Sequence, residues 1–291
     1  MPDIRLIALD LDGTVFDDEK RISPRTLAAI RAALDRGIDV LPATGRNAAG
    51  VPDTFMQMPG VRFALTSNGA SVVELASGRP LVRLPFEADF ARRALAAVQP
   101  FGGAIGLFVG GDCYSDPAGT AAALASCPPA LLPYIKASRR VTDNLDALIA
   151  QRPGEVEKFS ILYPDAATRD AARAAVVAAC PGIEATSSIP NNLELNAPGV
   201  NKGRGLLALA DYLGLSASQV MACGDSGNDL AMVQLAGVGV AMGNATPDVL
   251  AAADFVTLDN NHDGVPPPSK PWRSALCNKK GAGYMIACPC R

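Results

Sequence analysis

Short apolar runs along the chain are each followed by polar residues, a pattern typical of buried strands that open into loops. The apolar runs cover residues 4–9, 38–43 and 220–223. The polar segments that follow them cover residues 10–14, 44–46 and 224–229. Strand and helix signals alternate through about the first 77 residues, which predicts a parallel sheet covered by helices. Because open parallel sheets bind ligands at the carboxyl ends of their strands, these polar segments are candidates for one site.

The first polar segment reads Asp10-Leu11-Asp12-Gly13-Thr14. Side chains two apart on an extended strand point the same way, so both carboxylates reach one small volume beyond the strand. A turn, in which Asp and Gly are both common, accounts for the same segment. A calcium loop does not, because the further ligands that it needs at fixed steps are missing. On this segment alone, a catalytic carboxylate pair and an ordinary turn both stay open.

Three later signals favour chemistry. The second run leads into Thr44-Gly45-Arg46, and the third leads into an acidic segment that begins at Asp225. Between them, Lys202 precedes an apolar-periodic helix over 206–213. Taken singly, a lysine near a helix start is usually a solvated residue, and a threonine before glycine is often a turn or cap residue. The order of carboxylate pair, hydroxyl, lysine and second acidic cluster gives these residues their weight.

This order resembles the haloacid dehalogenase superfamily of phosphohydrolases, specifically its Cof-type branch. The resemblance extends to about Val265 and includes the Thr-Ser-Asn-Gly-Ala segment at 66–70 and the segment from Asn192 to Lys202. It implies an α/β fold, with a Rossmann-like parallel-sheet core and an inserted α+β cap domain. By resemblance, the nucleophile is Asp10, the general acid and base is Asp12, the phosphoryl contacts are Thr44 and Lys202, and the metal ligand is Asp225.

The chemistry is also arguable from the residues. A carboxylate nucleophile splits phosphate ester hydrolysis into formation and breakdown of an aspartyl phosphate, a role that suits Asp10. A second carboxyl group must protonate the leaving alcohol and then deprotonate water, and Asp12 is the only other acid on that strand face. This role predicts a raised pKa for Asp12.

Clustered carboxylates predict a metal ion. Asp10, Asp12 and Asp225 would repel one another, each pair by about 4 kcal/mol at a separation of about 4 Å in an effective dielectric of about 20. Mg2+ offsets such repulsion and prefers one or two carboxylates together with phosphate oxygens. The expected ligands are Asp10, the backbone carbonyl of Asp12 and Asp225, with Asp229 as an additional candidate.

The predicted substrate contacts are Thr44, Gly45, Arg46, Asn68, Lys202 and Asn228. Asn228 and Asp229 are assigned to the surroundings of the ion or to the substrate side, since Mg2+ needs only one or two carboxylates. Cap residues Glu157, Lys158 and Arg139 have no more weight than ordinary surface charges.

The pattern changes after the first strands and helices. Helices over 87–98 and 166–179 and strands over 104–109, 157–163 and 183–186 predict a separate α+β module. The predicted divisions are a first core part at 1–83, the cap at 84–190, a second core part at 191–265, and an atypical tail at 266–291. Prolines at the start of the tail disfavour a closing helix, so we expect this tail to be poorly ordered and dispensable for catalysis.

Composition excludes other classes. At 291 residues, with 49% hydrophobic and 19% charged residues, the chain is long and apolar enough for two folded domains. A net charge of −3 lacks the basic footprint of nucleic-acid binding. No apolar run approaches the roughly 18 residues of a membrane span, and no signal segment precedes the first strand, so we expect a cytoplasmic protein. Seven scattered cysteines indicate buried or incidental thiols.

Three functions follow. The leading hypothesis is a Mg2+-dependent phosphomonoesterase that acts on small phosphorylated metabolites such as sugar phosphates, as a monomer or homodimer. The second is a phosphoryl transferase or mutase, as in the related phosphomannomutases, in which the aspartyl phosphate passes to a sugar hydroxyl. The third is a non-catalytic metabolite-binding protein, against which the complete motif set argues. A Ser-His-Asp hydrolase is disfavoured, because the single histidine, His262, lies in a loop-like stretch.

Overall fold

The computed structural model of the protein describes residues 3–126, 132–265 and 277–278. In chain order the strands are β1 (Leu6–Leu9), β2 (Asp39–Pro42), β3 (Phe63–Thr66), β4 (Ser71–Glu74), β5 (Pro80–Arg83), β6 (Ala104–Val109), β7 (Asp112–Ser115), β8 (Arg139–Val141), β9 (Val156–Leu162), β10 (Glu184–Thr186), β11 (Asn192–Asn196), β12 (Val220–Gly224), β13 (Val238–Ala241), β14 (Phe255–Val256) and β15 (Cys277–Asn278). The α-helices are α1 (Pro24–Leu34), α2 (Asp53–Met56), α3 (Ala88–Val98), α4 (Pro117–Ser126), α5 (Leu132–Ser138), α6 (Leu145–Gln151), α7 (Ala166–Ala179), α8 (Lys202–Tyr212), α9 (Leu230–Leu235) and α10 (Pro247–Ala252).

The first sheet has the strand order β2-β1-β12-β13-β14, all parallel, and β15 adds an antiparallel edge. Its register places Leu9 between Pro42 and Cys223, so the carboxyl ends of β1, β2 and β12 coincide. Side chains on both faces are buried, with Ile7 and Leu9 in one apolar cluster and Leu6 in another. Helices cover both faces, as the apolar runs predicted. The predicted α/β fold class is therefore confirmed.

The second sheet has the order β10-β11-β9-β6-β7-β8 and is antiparallel except for the β7–β8 pair. Its two faces differ. One face, with Leu107 and Phe159, packs in an apolar cluster with α3, α6 and α7. The opposite face carries polar side chains, among them Lys158 on β9 and Glu194 on β11. Helices therefore cover only the apolar face of the second sheet. Side chains of its polar face contact Gly45 and Asn68, which lie in loops outside the second sheet.

Most of the predicted elements in this region are confirmed. The strand over 104–109 and the helix over 166–179 are found with the predicted bounds, and the other predicted elements agree to within one residue. The second sheet also contains β11, which lies beyond residue 190, the predicted end of the cap. The domain division at 84 and 190 stays a prediction.

One expectation for the first core part is wrong. The parallel pattern was expected to continue to about Ser77, but β3, β4 and β5 form an antiparallel meander. The meander joins the first sheet through a parallel bridge between Ala43 and Leu65. Short connections explain the difference, because strands joined by a few residues pair antiparallel, whereas a parallel pair needs a crossover.

The predicted tail at 266–291 lies outside the described residues except for Cys277–Asn278, which pairs with β14. Its expected poor order stays a prediction. Cys113, Cys180 and Cys223 are buried free thiols, as expected for those positions. Within 3–126 and 132–265, no helix combines the length and apolar character that crossing a membrane needs.

A left-handed turn connects β3 to β4 beside the start of α8. Ser67, Asn68 and Gly69 have φ values of 53°, 56° and 91°. At Gly69, an added Cβ would lie 2.2 Å from the carbonyl oxygen of Asn201, the N-cap residue of α8. The absence of a side chain therefore lets this turn touch the helix that carries Lys202.

We expect Gly69→Ala to lower the free energy of unfolding by about 1–3 kcal/mol more than Gly78→Ala does, because an added methyl overlaps backbone atoms at Gly69. Gly78 is the matched control: its φ is also positive, +66°, but a Cβ there meets nothing within 4 Å. The control measures the conformational cost alone. Urea unfolding curves of both variants test this, and equal losses would contradict the steric argument.

Candidate active site

The site begins where β1 ends. Asp10 follows directly after the strand, and its backbone amide donates to the carbonyl oxygen of Cys223 on β12 at 3.0 Å. This bond continues the parallel ladder for one more residue and turns the Asp10 side chain toward the loop after β12. The carboxylate is buried, with 5% of the residue exposed. The predicted position of Asp10 at the strand end is therefore observed.

Lys202 is the cation of the site. It is fully buried at the first turn of α8, and its Nζ donates to Asp10 Oδ1 and to Asp229 Oδ1, each at 2.6 Å. The helix start is set locally, because the Asn201 side chain accepts from the Arg204 amide as an N-cap. Burial would lower the pKa of Lys202, but the two carboxylates outweigh burial and raise it. The lysine is therefore held as an ammonium ion.

The loop after β12 brings in two more carboxylates. Asp229 Oδ2 accepts from the backbone amides of Asp225 and Ser226, both at 3.0 Å. Asp225 Oδ1 accepts from the Thr14 hydroxyl at 3.1 Å. Burial, followed by the charge of Asp229, raises the pKa of Asp225 to about 7, and the same causes raise the pKa of Asp10 well above its usual range. A further positive charge beside Asp10 and Asp225 would therefore favour the charged forms of both carboxylates.

Oxygen atoms of Asp10, Asp225 and Asp229 lie within 4.8 Å of one another. Carboxylate oxygens are the donors that hard divalent cations prefer, and such an ion would supply the missing positive charge. Gly13 leaves room for this arrangement, since an added Cβ would lie 2.5 Å from Asp225 Oδ2. Asp229 is the least available of the three, because both of its oxygens already accept hydrogen bonds. The residues present fit a divalent cation.

Asp12 does not join this cluster by its side chain. Arg46 Nη2 donates to both carboxylate oxygens at 2.9 Å, and Lys20 Nζ donates to Oδ1 at 2.8 Å. Burial acts to raise the pKa of Asp12, but Arg46 and Lys20 outweigh it, and the pKa lies below its ordinary value. The predicted raised pKa of Asp12 is wrong, because Arg46, which was predicted as a substrate contact, and Lys20, which was not predicted at the site, stabilise the charged form.

The remaining predicted residues line the same edge of the sheet. Thr44 is buried and its Oγ1 accepts from the Arg46 amide at 3.1 Å. Asn228 Nδ2 donates to Asn68 Oδ1 at 3.2 Å, so these two predicted contacts lie side by side. Gly45 has no room for a side chain, since a Cβ would lie 2.8 Å from Asn68 Oδ1. The structure therefore brings all of the predicted site residues to one edge.

Other contacts at this edge were missed. Lys20 lies in the loop after β1, where no motif marks it, and Thr14 ends the first polar segment but was assigned no role. Lys158 was named as a cap candidate with only the weight of a surface charge, and Glu194 was assigned no contact, because both lie inside strands, where a charged residue on alternate positions usually indicates a solvated face. Glu157 accepts from the Ser67 hydroxyl at 2.6 Å, whereas Arg139, the third cap candidate, donates to Ser115 within the second sheet.

Comparisons with known proteins agree with the fold. A family model described as haloacid dehalogenase-like hydrolase matches residues 7–266. The chain is 30% identical over 277 residues to the 5-amino-6-(5-phospho-D-ribitylamino)uracil phosphatase YcsE of Bacillus subtilis, a match that covers 93% of this chain and 96% of that protein. It is 27% identical over 263 residues to the pyridoxal phosphate phosphatase YbhA of Escherichia coli, covering 90% and 96%.

Solved structures show the same likeness. A haloacid dehalogenase-like hydrolase from Bacillus subtilis superposes with a TM-score of 0.78 at 26% identity, covering 90% of this chain and 97% of that one. A phosphatase of the haloacid dehalogenase superfamily from Bacteroides thetaiotaomicron superposes with a TM-score of 0.74 at 28% identity, covering 90% and 92%. The chain belongs to the haloacid dehalogenase superfamily, in its Cof-type phosphatase branch.

Proposed function

We propose that the protein is a Mg2+-dependent phosphomonoester hydrolase that acts on small phosphorylated metabolites through an aspartyl-phosphate intermediate on Asp10. The observation that carries the proposal is the buried contact between the Asp10 carboxylate and the Lys202 ammonium at the end of β1. The two relatives are named for different small phosphorylated substrates, so they support the class of substrate and not one compound.

In the first step, an Asp10 oxygen attacks phosphorus, a bond from Asp10 to phosphorus forms, and the bond from phosphorus to the alcohol oxygen breaks. Lys202 supports this step because its ammonium orients Asp10 and offers a point charge to the phosphoryl oxygens. The Thr44 hydroxyl lies in the adjacent loop and supplies a neutral donor to the same group. Water then attacks phosphorus, which releases inorganic phosphate and restores the Asp10 carboxylate.

Asp12 is the proposed acid and base. It gives a proton to the alcohol oxygen as the ester bond breaks, and it takes a proton from water in the second step. In the absence of substrate, its contacts with Arg46 and Lys20 hold it as a carboxylate, so it must take up a proton from solvent before it can protonate the alcohol oxygen; the carboxylate left after that transfer then accepts the proton from water. We infer that both contacts loosen when substrate enters, because a phosphoryl group competes for the same cations.

Mg2+ would be held by Asp10, Asp225 and the backbone carbonyl of Asp12. Bound there, it supplies positive charge to the clustered carboxylates and to the phosphoryl oxygens. Gly45, Arg46, Asn68 and Asn228 stay proposed substrate contacts. The side-chain amide of Asn68 already donates to Glu194 and accepts from Asn228, so a substrate would have to replace one of these two hydrogen bonds.

A substrate panel tests the function directly. Purified protein is assayed for phosphate release from sugar phosphates, nucleotides, pyridoxal phosphate and flavin mononucleotide, with Mg2+ and with chelator. Hydrolysis of at least one sugar phosphate or cofactor phosphate is expected. Transfer to an added sugar without net phosphate release would favour the mutase alternative, and no turnover of any compound would contradict the proposal.

We expect Asp10→Asn to abolish turnover, because an amide cannot form the acyl phosphate. The variant should fold, since it removes one carboxylate from a cluster whose members repel one another. Asp39→Asn is the matched control: it lies at the opposite end of the sheet, in an ion pair with Arg62. Phosphate release and thermal midpoint are measured for both, and retention of even about a tenth of the rate in Asp10→Asn would refute the nucleophile.

Asp12→Asn should impair hydrolysis of alkyl phosphates by about 100-fold or more, whereas an activated aryl ester should lose less. The reason is that p-nitrophenolate leaves without a proton and a sugar alkoxide does not. The measurement is kcat on p-nitrophenyl phosphate and on the best sugar phosphate of the panel. Equal losses on both esters would count against the acid role.

Turnover is expected to require Mg2+, and Ca2+ should substitute poorly because its larger, looser coordination misplaces the phosphoryl group. Asp225→Ala should raise the Mg2+ concentration that gives half-maximal rate, with the order of substrate preference unchanged. Asp211→Ala, an exposed position on α8, is the control. Full activity in excess chelator would contradict the metal assignment.

A further inference from the structure

A buried ion pair lies on the polar face of the second sheet. Lys158 Nζ on β9 and Glu194 Oε1 on β11 are 2.8 Å apart, and their side chains are 1% and 6% exposed. Burying two charges is costly unless other polar groups also satisfy them. The other hydrogen bonds of Lys158 and Glu194 therefore indicate what this ion pair does in the structure.

Lys158 reaches across to the first sheet. Its Nζ donates to the Gly45 carbonyl oxygen at 2.6 Å as well as to Glu194, and it lies 4.8 Å from the centre of the Phe108 ring. An ammonium has three donors, so two hydrogen bonds and one contact with an aromatic face use them all. Lys158 is thus engaged with the chain and has no donor left for a substrate.

Glu194 reaches the turn between β3 and β4. Its Oε2 accepts from Asn68 Nδ2 at 2.8 Å, and Asn68 Oδ1 in turn accepts from Asn228 Nδ2 at 3.2 Å. Burial acts to raise the pKa of Glu194, but Lys158 outweighs it and the pKa is lowered, so the carboxylate is charged. One ion pair of the second sheet thereby contacts the Thr44-Gly45-Arg46 loop, the turn at 67–69 and, through that turn, the Asp225 loop.

The turn at 67–69 needs such support. Ser67 and Asn68 both have positive φ, a conformation that is unfavourable for a residue with a side chain and persists only where its surroundings impose it. Asn196 Nδ2 donates to the Ser67 carbonyl oxygen at 2.9 Å, which adds to the bond between Glu194 and Asn68. The backbone amide of Asn68 donates to the Thr44 carbonyl oxygen at 3.2 Å, so this turn and the Thr44 loop are joined directly.

We propose that Lys158 and Glu194 are positioning residues of the phosphoryl site: through the Gly45 carbonyl and the Asn68 side chain they hold the Thr44 loop and the left-handed turn in the geometry that phosphoryl transfer needs. This inference rests on the proposed function. It assigns to the second sheet a part in the chemical step, separate from any contact with the leaving group.

The test removes both charges and keeps the side-chain volumes. K158M/E194Q leaves no buried charge unpaired, unlike K158M alone, and is compared with wild type and with R92M. Arg92 is the matched control, because its ion pair with Asp146 joins α3 to α6, two helices that pack on the apolar face of the second sheet. Steady-state kinetics use acetyl phosphate and p-nitrophenyl phosphate with saturating Mg2+.

For a positioning role, kcat should fall by about 100-fold on acetyl phosphate and p-nitrophenyl phosphate alike in K158M/E194Q, since a misplaced phosphoryl contact slows the phosphoryl transfer that both substrates share. R92M should keep wild-type kinetics. A loss confined to the larger p-nitrophenyl ester would overturn the proposal in favour of leaving-group recognition. Unchanged kcat with a lowered thermal midpoint would overturn it in favour of a purely structural pair.

A second readout does not depend on turnover. Amide hydrogen exchange is followed in peptides that cover 41–47 and 66–70, and faster exchange there in K158M/E194Q than in R92M is expected. Unchanged exchange would overturn the proposal whether or not wild type hydrolyses these two substrates. Absence of wild-type turnover on every compound of the substrate panel would contradict the proposed function alone. If the double variant does not fold, K158R/E194D is used, which keeps both charges and changes only the reach and shape of the two side chains, and the same two changes are expected in smaller degree.

Discussion

The fully buried ammonium of Lys202, shared by Asp10 and Asp229, is the interaction on which the site depends. A lone ammonium is unstable in the interior, and so are two carboxylates without a cation, so each requires the others. To bring the lysine to the end of β1, α8 must begin very close to the sheet. Gly203 and Gly205 allow this, since a Cβ at either would lie 2.6 Å from a backbone oxygen, of Ala231 and Gly69 respectively.

This triad leaves an uneven distribution of charge. Lys202 neutralises part of the charge of Asp10 and Asp229, and the Arg46 and Lys20 side chains are taken by Asp12. Among the described residues, the Thr14 hydroxyl donates a hydrogen bond to Asp225, and burial, followed by the charge of Asp229, raises the pKa of this carboxylate. A divalent cation is suited to the position beside Asp225. A dianionic phosphoryl group would complement the positive charges of Lys202, Arg46 and Lys20.

The second sheet completes the site by polar contacts. Its apolar face packs against α3, α6 and α7. On its polar face, Lys158, Glu194 and Asn196 contact the Thr44 loop and the turn at 67–69. Such contacts are directional, unlike apolar packing, so they orient the turn at 67–69 as well as covering it. The same buried polar groups would be left without partners if the two sheets separated, which favours the arrangement in which they touch.

Sequence alone determined the strand ends and the carboxylate pair. Apolar runs mark the buried strands, and parallel strands end at one edge, so Asp10 and the Asp225 loop could be predicted as neighbours, whereas Lys202 was assigned to the site by family resemblance. It could not determine which cation each carboxylate meets. Periodicity records which face of an element is buried, and not what lies against that face. Lys20 beside Asp12 and Lys158 beside Gly45 were decided by tertiary structure, because each pairing depends on how separate elements are packed.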